Sequence, residues 1–113
     1  MNEKSIENST GSLLHTVFFW LKNPEDQSDR NAFETAIRKL IKTNPQGTAN
    51  HLGCPAASEK RDVVDASFTY CYTMSFPSLA AQNAYQDDPT HQLFIEEAQH
   101  LWDRVRVHDS IAI

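Results

Sequence analysis

The chain has 113 residues, 10 Lys and Arg against 15 Asp and Glu, a net charge of −5, a 40% hydrophobic content and two cysteines. That length suits one domain of roughly 100–150 residues, large enough for a core yet too small to hide all its apolar surface. The deficit of positive charge argues against a nucleic-acid partner, and the lack of any run of about 18 apolar residues argues against a membrane span.

Residues 1–12, MNEKSIENSTGS, are polar, lack the apolar core of a signal peptide and read as a flexible tail, so a cytoplasmic protein is expected. Cys54 and Cys71 stand outside any CxxC spacing and read as free thiols. Residues 13–22, LLHTVFFWLK, predict a first strand with Leu13, His15, Val17, Phe19 and Leu21 on one face and Leu14, Thr16, Phe18 and Trp20 on the other. A strand apolar on both faces is covered on both faces. Asn23-Pro24 ends it, Ser28 is the expected N-cap of the next element, and Phe33, Ala36, Ile37, Leu40 and Ile41 recur at helical spacing across 29–43. Asn44-Pro45-Gln46-Gly47 terminates that helix, with Gly47 expected to supply positive φ.

Residues 48–58 are weakly patterned and read as an irregular or edge strand, followed by a charged turn over 59–65. The strongest alternation lies in 66–76, where Phe68, Tyr70, Tyr72, Met74 and Phe76 form a large face, and Ser67, Thr69, Cys71, Thr73 and Ser75 a small one. Ser78 caps a short helix over 79–86. Asp88 as N-cap and Pro89 at the first helical position open another over 89–101, with His91, Phe94, Ile95, Ala98 and Leu101 on one stripe. Residues 102–113 alternate as a final strand. The order βαββαβ predicts an α+β, ferredoxin-like layer: a four-stranded antiparallel sheet with helices on one face. Two helices leave the face of Phe18 and Trp20 bare, and a second copy packed sheet to sheet would cover it. A homodimer is therefore expected, with Phe18, Trp20, Cys71 and Thr73 at its interface.

The chain resembles the stress-responsive dimeric α/β-barrel (Dabb) domain. The resemblance rests on HTVFFWLK from His15, the strand end TMSF, and Tyr85-Gln86-Asp87-Asp88-Pro89-Thr90-His91 followed by Phe94; it spans residues 13–112 in order. It implies a homodimer pairing two sheets into a barrel, with a domain over 13–113 and a pocket between sheet and helices. Many members have no assigned activity, so the resemblance implies a stress-associated protein of undetermined activity, with the helix-sheet pocket as the place for a small apolar ligand. A plant polyketide cyclase of similar fold closes an aldol ring with a His and Tyr pair, which fall on His91 and Tyr85; a second histidine falls on His15. A third falls on Tyr70, where this sequence departs.

An aldol cyclisation needs a base of near-neutral pKa and a donor for the developing oxyanion, roles that His91 and Tyr85 suit. The positive end of the helix dipole keeps His91 neutral in the first turn. Val17, Phe19, Phe33, Tyr70, Tyr72 and Phe94 are the expected pocket lining. The simpler reading of Asp88-Pro89-Thr90-His91 is a capping device, with Asp88 and His91 at N-cap to N3 spacing. No two of the five histidines stand at i, i+2 or i, i+4, so neither a metal nor another cofactor is expected. His51, His100 and His108 carry no signal. Haem-degrading monooxygenases share the barrel, but His91 and Trp20 connect to them only by fold analogy. Three glycines leave no material for a phosphate loop.

Overall fold

The first strand, β1 (Leu13–Leu21), buries Leu13, His15, Val17, Phe19 and Leu21 and leaves Leu14, Thr16, Phe18 and Trp20 on the more open side, the alternation read from sequence. It belongs to a computed structural model that describes residues 10–113. Most of the expected tail, residues 1–9, lies outside the described residues. Gly11 and Ser12 exchange backbone hydrogen bonds with Ala112, extending the pairing of the first and last strands past Leu13.

The helix α1 spans Gln27–Thr43, two residues earlier than expected, because its cap is Asp26 and not Ser28. The Asp26 carboxylate accepts the Asp29 amide at 3.0 Å, which places Ser28 inside the first turn. Phe33, Ala36, Ile37 and Leu40 form its buried stripe. Gly47 does not take positive φ. It is required for space: a Cβ there would lie 2.7 Å from Met74 Cε.

The edge strand β2 (Ala49–Gly53) is shorter than the 48–58 read from sequence, and β3 (Tyr70–Phe76) begins four residues late. That late start overturns one placement. Phe68 is not on the inward face with Tyr70 and Tyr72; its ring meets Phe18 edge-on at 5.0 Å on the opposite side of the sheet. Thr69 is the buried residue instead, its hydroxyl accepting the Leu21 amide at 3.0 Å. An extended strand cannot do this, since alternation would put Phe68 inward and Thr69 outward.

Two helices follow: α2 (Leu79–Asp87), capped by Ser78 as expected, and α3 (Pro89–Ala98), capped by Asp88 with Pro89 in the first turn. Residues 99–101 tighten into a 3₁₀ turn before β4 (Trp102–Ile111). The sheet order is β2-β3-β1-β4, antiparallel throughout. This is the ferredoxin-like α+β layer. A register shift in the β1–β4 pairing sets Trp102 opposite Leu21 and Arg104 opposite Trp20, leaving Asp103 unpaired. The bulge turns the Trp102 ring inward, 5.1 Å from Phe19 and 5.8 Å from Phe94.

The core lies between helices and sheet, and Phe33, Ile37 and Phe76 are fully enclosed there. Burying each such side chain stabilises the fold by roughly 1.5–3 kcal/mol. The shortest dimension is 19 Å, about the depth of one helix layer on one sheet layer. No third layer covers the face of Phe18 and Trp20 among the described residues. The segment between β2 and β3 does shield part of it: Phe68 packs on Phe18, and Trp20 Nε1 donates to Ser67 Oγ at 3.1 Å.

Candidate functional site

His15 is an inward residue of β1 and 4% exposed. The sheet register sets it opposite Met74 on one side and Asp109 on the other. Asp109 Oδ1 lies 2.5 Å from His15 Nδ1, and Gln82 of α2 brings its Nε2 within 3.2 Å of Asp109 Oδ2 and 3.3 Å of His15 Nδ1. A carboxylate only accepts, so His15 Nδ1–H and Gln82 Nε2–H both donate to Asp109. In the neutral ring this leaves His15 Nε2 with a lone pair. Asp109 keeps a side-chain exposure of 40%, so the buried histidine connects to solvent through the carboxylate on β4.

Tyr85 of α2 packs beside this network, its ring 5.8 Å from His15, 5.3 Å from Phe76 and 4.5 Å from His91. The structure thus brings His15, Tyr85 and His91 together. Three inward tyrosines differ in what their hydroxyls do. Tyr70 donates to Glu34 at 2.6 Å and Tyr72 to Asn50 at 2.5 Å. The Tyr85 hydroxyl has no hydrogen-bond partner among the described residues, and the residue as a whole is 3% exposed. Burial pushes the Tyr85 hydroxyl well above the ordinary phenol range, which keeps it a proton donor.

The capping reading of Asp88 and His91 is corrected in one respect. Asp88 Oδ1 accepts from the Thr90 amide at 2.8 Å and the Thr90 hydroxyl at 2.5 Å, and Oδ2 accepts from Gln46 Nε2 at 3.0 Å. His91 gives the cap only its backbone amide, bonded to the Asp88 carbonyl at 3.0 Å. Its ring packs against Tyr85 and faces the Gln86 backbone carbonyl. Partial burial lowers the His91 pKa below the usual histidine value, and the nearby His15 lowers it further, against the opposing influence of the Gln86 carbonyl and Asp88. A neutral imidazole in contact with a protonated phenol is a base beside a donor.

Of the expected pocket lining, Phe19 and Tyr70 lie away from this pair, whereas Tyr72 is near enough to influence the Tyr85 hydroxyl. Val17, Phe19, Phe33, Tyr70, Tyr72 and Phe94 belong to the packed core. Phe33 stacks on Tyr70 at 4.6 Å and meets Phe19 edge-on at 4.9 Å, so these rings fill the space between α1 and the sheet. Register explains the separation: Phe19 pairs with Tyr70, four residues along β3 from the Met74 that faces His15, about 13 Å at 3.3 Å per residue. Phe18, Trp20, Cys71 and Thr73 all lie half-buried on the sheet face away from the helices. Sequence reasoning missed Asp109 and Gln82. Asp109 carried one usable signal, a carboxylate in a C-terminal strand that otherwise reads Val105, Val107 and Ile111 on its inward side.

The stress responsive A/B barrel domain (Dabb) family model matches residues 13–112. Among solved structures, the chain resembles a Dabb family protein with a ferredoxin-like fold from Mesorhizobium loti, at TM-score 0.73 and 22% identity over 91% of this chain and 98% of that one. A dimeric ferredoxin-like protein of unknown function from Thermobifida fusca aligns at TM-score 0.72 and 13% identity, over 97% and 99%. A hydroxynitrile lyase from Passiflora edulis aligns at TM-score 0.72 and 19% identity, over 93% and 96%. No curated protein sequence matches the chain significantly.

Proposed function

Since the chain belongs to the stress-responsive A/B barrel domain (Dabb) family, we propose that it acts as a homodimer, paired through the sheet face that its helices leave bare, and binds a small apolar ligand beside Tyr85 and His91. The observation that carries the ligand site is the Tyr85 hydroxyl, which has no hydrogen-bond partner among the described residues and whose ring lies next to two histidines. A buried polar group without a protein partner is satisfied by water or by a ligand. The dimer is supported by the two-layer thickness and by the dimeric description of the Thermobifida fusca protein. Two unpaired thiols suit a reducing, cytoplasmic setting.

Sedimentation velocity tests the assembly, and a monomer at about 10 μM would refute it, since a specific dimer of this size class binds in the micromolar range or tighter. For the ligand, titration with a small aromatic ketone such as acetophenone should shift the Tyr85 and His91 ring resonances saturably, and Tyr85→Phe should weaken the response.

A second reading is favoured by the lowered His91 pKa and its contact with Tyr85. In that reading His91 removes a proton alpha to a carbonyl, and the Tyr85 hydroxyl donates to the enolate oxygen, as a cyclase-type aldol step requires. The lyase name of the Passiflora edulis protein supports it by fold analogy alone. Acetylacetone in deuterated buffer gives the test. The protein should speed deuterium entry at the central carbon, and His91→Ala should return the rate to that of buffer; equal rates with and without the native protein would exclude the step.

A further inference from the structure

A cleft separate from both the histidine cluster and the bare sheet face lies where α1 passes the end of β2. It has a volume of about 190 Å³, and Arg30, Glu34, Arg38, Leu52, Cys54 and Tyr70 line it. The Arg30 guanidinium sits over the Tyr70 ring at 5.1 Å, and its Nη1 donates to the Pro24 carbonyl at 2.8 Å. Tyr70 is itself held from behind by Phe33, stacked at an interplanar angle of 13°. The guanidinium therefore rests on a fixed platform.

Charge in the cleft is unbalanced. Glu34 accepts the Tyr70 hydroxyl and lies 3.6 Å from Arg38, so its carboxylate is already engaged. Arg30 has no carboxylate within ion-pair reach among the described residues. Two guanidiniums against one carboxylate leave one positive charge here, on a chain whose net charge is −5. A guanidinium immobilised by stacking presents its remaining donors at little entropic cost, in a fork that matches an oxyanion.

We propose that this cleft binds a small organic acid, its carboxylate or phosphate on Arg30 and its apolar body against Leu52 and the Tyr70 ring edge. The volume falls below the roughly 300–1,000 Å³ of sites for drug-sized ligands, so the acid is small. Neither the dimer face nor the Tyr85 hydroxyl takes part, and this site stands or falls independently of the function proposed above.

The test is a pair of titrations of the full ¹⁵N-labelled chain at constant ionic strength, one with benzoate and one with inorganic phosphate, following the Arg30 side-chain Nε–Hε signal and the Gly53 and Cys54 amides. Either probe should give saturable shifts at these signals. Arg30→Gln should abolish the shifts at Gly53 and Cys54, Arg30→Lys should retain a weaker response, and Arg104→Gln, which alters an arginine on the opposite sheet face 4.2 Å from the Trp20 ring, should change nothing. Benzoate alone saturating identifies a carboxylate with an apolar body, and phosphate alone identifies a phosphorylated ligand. Shifts that stay linear for both probes to about 50 mM, or saturation that survives Arg30→Gln in a chain with a native-like spectrum, would overturn the site.

Discussion

Replacing Asp109 by Ala strips the acceptor from a ring that is 4% exposed. A buried donor left unsatisfied costs about 1–3 kcal/mol. Gln82 decides where in that range the loss falls. Its amide stands 3.3 Å from His15 Nδ1 and can present its carbonyl oxygen once the carboxylate is gone. Asp109→Ala alone should therefore cost about 1 kcal/mol, Gln82→Leu alone less, because Asp109 is open enough to recover water, and the double variant about 3 kcal/mol. Asp109→Asn keeps an acceptor and should cost less than Asp109→Ala. Urea unfolding at one fixed protomer concentration measures the cycle, since the stability of the proposed dimer depends on concentration. At a slope of about 2 kcal/mol per molar, a coupling of about 1–2 kcal/mol separates the double variant from additivity by about 0.5–1 M in midpoint. Strictly additive losses, each within about 0.5 kcal/mol as at a surface position, would refute the buried three-residue network.

Thr73→Arg puts a new cation on a sheet face that already carries Arg104, Arg106, His51 and His108, once in each copy of a two-fold pair. At several kcal/mol per unpaired buried charge, the dimer Kd should rise by about a thousandfold or more; an unaltered sedimentation profile would reject the proposed interface. Trp20→Glu should disrupt less, because Arg104 already lies over that position and neutralises a carboxylate there. Stability should fall on acidification below about pH 6.5. The folded state lowers the His91 pKa, so in that window the unfolded chain binds more protons, and His91→Gln should flatten this part of the pH profile in urea melts. Asp88 adds a second loss at more acid pH. Its pKa is lowered by hydrogen bonds from Thr90, so its contribution is complete above the usual carboxylate range and disappears below it. Tyr72→Phe should lose about 1 kcal/mol with its bond to Asn50, whereas Tyr85→Phe should be nearly neutral in thermal melts; equal losses would show that the Tyr85 hydroxyl is engaged after all.

Local pattern carried the fold further than it carried the site. The faces of β1 and the caps at Ser78 and Asp88 depend on neighbours within a few residues, where periodicity and hydrogen-bonding chemistry speak directly. Asp26 displaced Ser28 as a cap because both are good acceptors, and only the backbone bend after Pro24 chooses between them. Phe68 was misplaced for a similar reason: its alternation with Tyr70 is real in sequence, but the chain is not yet extended there, and the Phe18 ring offered it apolar surface on the other side. Asp109 and Gln82 were out of reach altogether. His15 and Asp109 are 94 residues apart, and only the β1–β4 register makes them partners.

The distance of Phe19 and Tyr70 from the polar cluster has its own physical origin. Pattern alone treats every inward residue of β1 and β3 as a neighbour of every helix residue above it. The bulge at Asp103 breaks that equivalence. It swings Trp102 over Phe19 and Phe94 and seals one end of the core with aromatic rings. Beyond the bulge, β4 resumes its alternation, and Val105 and Val107 sit opposite Phe19 and Val17 on the helix side of the sheet. They nonetheless remain 38% and 47% exposed, because the helix layer stops short of this edge strand. Asp109 follows them on the same side, bonded to His15. The sequence thus builds a closed apolar end and an open polar end on one sheet. Asp109 is the solvent-facing member of this cluster because β4 is left uncovered, while His15 and Tyr85 stay buried beneath it at 4% and 3% exposure.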